Sequence, residues 1–362
     1  MYMYRQRLHA HARTRASRRG SSEQQQQARP GTAMDGSSSV PATDPHRWLQ
    51  SYAAARDLEE RKRLLVQIAH ETVGILRTGC YRSPANGEVV ELPRRAMAAA
   101  QQRTRMYPGR LRQADVKQLP RFEPSAAEVW NCDTVEAGRR LHQRGHTPAL
   151  LNMANAVHAG GGFWSGAHAQ EEDLHRRSDL CEHLEHQIKD GYLRYPIPDC
   201  GAVFSPGVHF FRDERDRGYQ PLPQADSHSF VVLSAAAYNL KSGRTREWLS
   251  RSGSGGFDAN YATRMKDKIR SLLRVGRYGD EHCFVEQRTV DSIVLGAWGC
   301  GAFGNAPAVV ASFFAEVMAE PSLQGLYRKV VFAILDDGNA GDAPPPCRSA
   351  HARLKSACTF FF

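Results

Sequence analysis

The segment from Asn152 to Leu180 reads N-M-A-N-A-V-H-A-G-G-G-F-W-S-G-A-H-A-Q-E-E-D-L-H-R-R-S-D-L. An apolar run, Pro148 to Met153, leads towards three consecutive glycines, Gly160, Gly161 and Gly162, and a pair of acids, Glu171 and Glu172, follows. Glycine has no Cβ and gives up the most conformational freedom on folding. A triplet inside an ordered domain is expected where backbone passes very close to another group. The carboxylate pair one short loop later points to a ligand. A flexible linker is the other meaning of such a triplet, but the flanks oppose it: Leu150-Leu151 before, Phe163-Trp164 after, then a charged helical pattern.

A second glycine-rich stretch, Gly296-Ala297-Trp298-Gly299-Cys300-Gly301-Ala302-Phe303-Gly304-Asn305, follows the apolar run Ser292 to Leu295 and precedes a helix start at Pro307. Proline suits a first helical position because its missing N–H is not needed there. A glycine turn between strand and helix exposes backbone N–H groups, and the helix N-terminus adds positive potential; both favour phosphate. The spacing is neither the dinucleotide fingerprint nor the P-loop, since no Gly-Lys-Ser/Thr follows. The loop is therefore expected to hold a diphosphate without a P-loop lysine, or else to be a tight structural turn.

These residues resemble a known family. Gly160-Gly161-Gly162, seven residues, then Gln170-Glu171-Glu172 is similar to the signature of poly(ADP-ribose) glycohydrolases of the microbial type. Ile68 to Thr72, Leu151 to Ala156, Arg176-Arg177-Ser178, Tyr195 to Arg212 and Val294 to Asn305 fit as well, so the resemblance covers roughly residues 46–340. It implies a macrodomain-like three-layer α/β/α sandwich: a mixed central sheet between helices, with an N-terminal helical extension. It implies hydrolysis of ribose–ribose bonds of poly(ADP-ribose), exo-acting, releasing ADP-ribose. It assigns proton transfer to Glu172, sugar positioning to Glu171 and a ribose hydroxyl contact to Asn155. The segment Gly299, Cys300, Gly301, Ala302, Phe303, Gly304 wraps the pyrophosphate, with the Phe303 ring near the adenosine end. Departures are His158-Ala159, where many members carry a proline before the triplet, and residues 241–257, a Ser-, Gly- and Arg-rich stretch read as a loop without counterpart.

The residues set their own limits on this chemistry. Adjacent side chains point in clearly different directions on a helix or strand, so Glu171 and Glu172 cannot flank a glycosidic bond as two standard catalytic carboxylates do. One carboxyl used twice is the expectation. Glu172 first protonates the leaving 2′-oxygen, then activates water, and for this it needs to be partly protonated near neutral pH, as burial beside phosphate favours. A surface acid pair is the bland alternative. Asn155 can equally be a turn former, Gln170 is expected to position the loop, and Trp164 either packs the triplet loop or covers the sugar. His168, His175, His183 and His186 with Cys181 do not have zinc-ligand spacing; a solvated helix face is expected, with no metal and no cofactor. Cys300 reads as a small filler rather than a nucleophile, and Ser178 has no evident base. Without cleavage the same loops would make an ADP-ribose reader, and mono-ADP-ribosyl hydrolysis would use the same pocket.

Composition frames the rest. The 362 residues, 41% hydrophobic and 24% charged, are ordinary for a globular chain. The net charge of +10 suits an anionic partner; poly(ADP-ribose) or ADP-ribosylated protein is the expected one, with no membrane, no stable nucleic-acid complex and a monomeric state. Eight cysteines without CxxC spacing read as reduced thiols of an intracellular protein. Residues 1–45 form a basic, Gln-rich arm too poor in apolar residues to fold alone. Its first 22 residues hold six Arg and no acid, consistent with organelle targeting or with a start at Met34. A helical extension is expected over 46–125, the core over 126–340 and a tail over 341–362. Within them, one helix or two is expected over 46–78, a helix and an outer loop over 94–122, and helices from Asp133 or Thr134 to Gly145, over 173–190 and from Pro307 to Ala319. Strands are expected at Val89-Val90, Val129-Trp130, Pro148–Met153, Val203-Phe204, Val208–Phe211, Phe230–Ala235, Ile293–Leu295 and Val330–Leu335, hence a sheet covered on both faces.

Overall fold

Strand alternation decides the layers. In β5 (Pro148–Met153), Ala149 and Leu151 enter one buried cluster while Leu150 enters another. The same split divides Val231 and Leu233 from Val232 in β7 (His228–Ala235), and Ile293 and Leu295 from Val294 in β8 (Ser292–Leu295). Both faces of each strand are apolar, as expected of a sheet between two helical layers. The structure, a computed structural model, describes residues 43–109, 121–251, 253–279 and 289–335. The expected arm and tail, apart from residues 43–45, lie outside the described residues.

Two helices open the described chain. α1 (Pro45–Ala54) is capped by Asp44, and α2 (Leu58–Thr78) by Asp57, whose carboxylate accepts from Glu60 N at 2.8 Å. Gly79 closes α2 in the left-handed region, as its position in sequence suggests. β1 (Cys80–Arg82) pairs with β2 (Val89–Glu91), and α3 (Arg94–Gln101) follows. The next strand departs from expectation: β3 (Arg105–Tyr107) is not outer loop but the edge of the main sheet, antiparallel to β6 (Ala202–Phe210). The segment expected as an extension outside the core thus contributes a strand to the main sheet.

β4 (Glu128–Trp130) leads to α4 (Thr134–Gln143), whose Asp133 cap accepts from Val135 N and Glu136 N. The helix expected over 173–190 is two, α5 (Gln170–Arg177) and α6 (Leu180–Lys189), separated where Ser178 bridges Phe210. The two strands expected around Pro206-Gly207 are one, β6, with a register shift between Ser205 and Val208. Residues 241–257 are not a loop: α7 (Gly243–Arg251) and the start of α8 (Gly256–Tyr278) occupy them. α9 (Pro307–Met318) and β9 (Lys329–Ala333) complete the fold. The sheet order is β3-β6-β7-β5-β8-β9-β4. β7, β5, β8, β9 and β4 run parallel; β6 runs antiparallel to both its neighbours, β7 and β3. α4 and α6 contribute to one apolar layer, α8 and α9 to the other. No helix among the described residues is long and apolar enough to cross a membrane.

Candidate active site

The two glycine loops leave the carboxyl ends of β5 and β8, which are neighbours in the sheet and parallel. That is the edge at which open α/β sheets place ligands. The Ala235 carbonyl at the end of β7 joins the loops, accepting from Ala154 N at 3.0 Å and from Trp298 Nε1 at 3.1 Å. At Gly296 a Cβ would lie 2.8 Å from Met153 Cε, so the loops also abut there.

Gln170 fastens α5 to β5. Its Oε1 accepts from Met153 N at 2.8 Å, and its Nε2 donates to Leu151 O at 2.6 Å and Thr134 Oγ1 at 3.1 Å. This is the expected positioning role. It sets the first turn of α5, and with it Glu171 and Glu172, directly under the glycine triplet.

Both carboxylates fold back onto that triplet. Glu171 Oε2 accepts from Asn155 N at 2.7 Å and Oε1 from Gly160 N at 3.2 Å. Glu172 Oε1 accepts from Gly162 N at 2.7 Å. A Cβ on Gly161 would stand 2.4 Å from Glu172 Oε1 and 2.9 Å from Glu171 Oε2. Gly160 and Gly161 have positive φ, +75° and +55°. The glycines are thus required by the carboxylates themselves, not by a ligand alone. The expectation that adjacent acids diverge is corrected here: both long side chains reach the triplet loop, where the backbone N–H groups of Asn155, Gly160 and Gly162 collect them.

The two acids nevertheless differ. Both oxygens of Glu171 are engaged, whereas Glu172 Oε2 is buried and has no hydrogen-bond partner in the structure. Only 3% of Glu171 and 6% of Glu172 is exposed, which excludes a surface acid pair. Burial pushes the Glu171 carboxyl up to about 8; the Asn155 N–H opposes this, and the Glu172 charge adds to it. Between the ordinary 4.5 and about 8, folded protein holds a proton that the unfolded chain has released, so stability falls as pH rises through that window. Glu171→Gln should flatten this decline in denaturant titrations across the window; a variant curve as steep as wild type would exonerate Glu171.

The other expected residues sort as follows. The Asn155 side chain caps a turn, its Oδ1 accepting from Val157 N at 2.8 Å and His158 N at 3.1 Å; the oxygen serves the turn reading. His158 supplies an N–H there that a proline would lack. Trp164 is exposed on the rim, edge-on to Phe163 and 3.3 Å from Glu185 Oε1. In the second loop Cys300 is held neutral, burial pushing its thiol up to about 12, which fits a filler and not a nucleophile. Phe303 is half-buried against the core, its carbonyl accepting from Leu240 N. The loop is closed by Asn305, which accepts from Tyr261 Oη at 2.7 Å and donates to Tyr238 O and Gly299 O. Among the described residues, the N–H groups of Gly301 and Ala302 have no backbone acceptor.

The expected solvated histidine face holds for His168 and His186, which are exposed, and is corrected for His175 and His183, which are buried at 1% and 0% exposure. The His175 ring lies under Gly160, where a Cβ would be 3.1 Å away, and its Nδ1 is 2.7 Å from Glu171 O. Burial lowers it to about 4, so it is neutral. No group of three or more metal-ligating side chains occurs among the described residues. Sequence reading also missed Tyr195, whose hydroxyl is buried without a partner and is held well above its ordinary value, by burial first and then by the Glu171 charge. Arg176 was seen only as part of a motif. It is fully buried and donates to Leu65 O in α2 and to Ala167 O in the triplet loop. Glu71, on α2, pairs with Arg212 at 2.6 Å. α2 therefore braces α5 and the triplet loop through Arg176, and the chain after β6 through Arg212.

A parallel-centred α/β/α sandwich with two glycine loops over a buried acid pair defines the macrodomain-like class of domain. Residues 69–213 match the profile of the microbial-type PARG catalytic domain. The poly(ADP-ribose) glycohydrolase of Thermomonospora curvata is 30% identical, covers 82% of this chain and 99% of its own, and superposes with a TM-score of 0.62. Its structure bound to the inhibitor ADP-HPD gives 30% identity, 81% and 99% coverage and 0.59. The Deinococcus radiodurans enzyme in complex with ADP-ribose gives 29%, 75% and 100%, and 0.54. No curated protein sequence matches. The chain belongs to the microbial-type poly(ADP-ribose) glycohydrolase family.

Proposed function

We propose that this protein hydrolyses the ribose–ribose O-glycosidic bonds of poly(ADP-ribose), working from chain ends and releasing ADP-ribose. The observation that carries the proposal is the buried pair Glu171–Glu172 clasped by the triplet, with one oxygen, Glu172 Oε2, left for a reacting group. A domain that only binds ADP-ribose has no need of that arrangement. In this reading Glu172 gives its proton to the leaving 2′-oxygen and then, as carboxylate, takes one from the attacking water. Glu171 holds the sugar side and keeps the triplet in place. Two carboxyls that both touch Gly161 cannot sit on opposite faces of a sugar, so one must act twice. A diphosphate cradled by Gly299 to Gly304 would help to stabilise the developing cation.

The deciding experiment is incubation with automodified poly(ADP-ribose) polymerase, followed by chromatography of the products. Free ADP-ribose is expected. Longer oligomers would indicate internal cleavage, loss of the protein-linked unit would indicate mono-ADP-ribosyl hydrolysis, and no product would leave a binding module. The reading includes action as a monomer, without a stable nucleic-acid complex, and an intracellular setting in keeping with the free thiols at Cys80, Cys132, Cys181, Cys200 and Cys300. Light scattering and cell fractionation test these.

Gly301→Val tests the diphosphate contact. A Cβ at Gly301 meets nothing within 4 Å, so the fold should accept the substitution with its melting temperature little changed. The added bulk stands where phosphate must approach, and calorimetry should show ADP-ribose binding lost. Unaltered affinity would remove this loop from the site.

A further inference from the structure

The stretch Gly296 to Asn305 contains no lysine or arginine of its own. The fold brings one to it from another strand's exit. After β7 the chain turns tightly at residues 239–242, where Lys241 N donates to Asn239 Oδ1 and Ser242 N to Asn239 O, each at 3.1 Å. This turn is fastened to the glycine loop by Leu240 N donating to Phe303 O at 2.9 Å. Lys241 is thereby laid along Gly304. A Cβ on that glycine, which has φ +71°, would stand 3.2 Å from Lys241 Cγ and 3.3 Å from Cε. The ammonium is one bond further on.

Basic side chains of α8 are matched by acids, and among the described residues this lysine is not. On α8, Arg264 and Lys268 pair with Asp199, and Lys266 pairs with Glu316. Lys241 is exposed, and among the described residues its ammonium forms no ion pair. A cation held by its stem against a phosphate-type loop, with no acid to neutralise it, is placed to meet an anion arriving there.

We infer that Lys241 contacts the diphosphate of ADP-ribose, supplying from outside the loop the positive charge that the loop itself lacks. The inference rests on the reading that residues 299–304 hold that diphosphate. The contact is an exposed one, so it is worth about fivefold in affinity at low ionic strength and fades as salt screens it.

The test is calorimetric titration of the full chain with ADP-ribose at low and high salt, using Lys241→Met, Lys241→Arg and Gly301→Val. Methionine keeps the stem that covers Gly304 and removes only the charge. Lys241→Met is expected to weaken binding about fivefold at low salt and to flatten the salt dependence, while Lys241→Arg retains both. A role in packing alone would leave the salt dependence of Lys241→Met unchanged, and that result overturns the inference. If Lys241→Met binds like wild type while Gly301→Val does not bind, the lysine is dismissed and the loop stands. If both bind like wild type, the loop reading falls and the lysine contact with it.

Discussion

Glu172→Gln is expected to abolish cleavage of poly(ADP-ribose) while leaving ADP-ribose binding in place. Glutamine is nearly isosteric, and its amide oxygen can still accept from Gly162 N, the bond that holds the side chain now. What it lacks is a transferable proton for the 2′-oxygen and a basic oxygen for water. General acid–base help is worth about 10²–10⁴-fold; because one group is asked to serve both half-reactions, loss at the upper end or beyond is expected. Glu171→Gln should act differently. It leaves Asn155 N or Gly160 N facing an amide donor, so it loosens the triplet and affects binding as well as turnover. Turnover and ADP-ribose affinity should be measured for both variants. A dead Glu171→Gln beside a near-normal Glu172→Gln would mean that the roles are exchanged. Full activity in both would make the glycohydrolase reading untenable.

Gly161→Ala should be nearly as damaging, although it adds one methyl group to a residue with no side-chain chemistry. The methyl carbon would stand 2.4 Å from Glu172 Oε1, far inside contact distance, at a backbone φ of +55°. The left-handed conformation alone costs about 1–2 kcal/mol for a residue with a Cβ. The larger effect is on placement: the carboxylate or the loop must move, and a shift of about 1 Å at a reacting group costs about 10²-fold in rate. Turnover is expected to drop by that order with a modest loss of melting temperature. A Gly161→Ala enzyme within a few-fold of wild type would show that the triplet does not set the position of Glu172. The contrast with Gly301 is instructive, since there the space beyond the α-carbon is open.

The parts legible in sequence are those where one physical cause dominates. β5, β7 and β8 are apolar on both faces, so their runs stood out, and the acids, caps and glycines bounding α2 and α4 marked both helices. α8 went unread because its buried face includes Asn260, Asp267, Lys268 and Arg277, which blur an otherwise regular spacing through Tyr261, Met265, Ile269, Leu272 and Val275. α7 looks like loop by composition. Its order comes from contacts the sequence does not display: buried Leu249, Arg246 over the Phe257 ring, and Trp248 beside Tyr238. β3 has three residues and no apolar pattern; only its partner β6 makes it a strand. In the site, the residue types could be read. Their convergence could not, because it depends on two positive φ values and on side chains curling back along α5. Burial of Arg176 likewise follows from α2 lying across it, and that of His175 from Gly160 and Phe163 packing on its ring.

The shared acceptor at Ala235 has a consequence for engineering and for divergence. One carbonyl oxygen, with two lone pairs, takes a hydrogen-bond donor from the first glycine loop and another from the second. Neither loop is a portable part. A graft of the triplet segment onto another scaffold would need that carbonyl at the same height, and with it a third strand ending at the same level. Length changes in either loop would be transmitted to the other through that oxygen and through the Met153–Gly296 contact, so variation between relatives should fall on the outer helices and spare the three strand ends together.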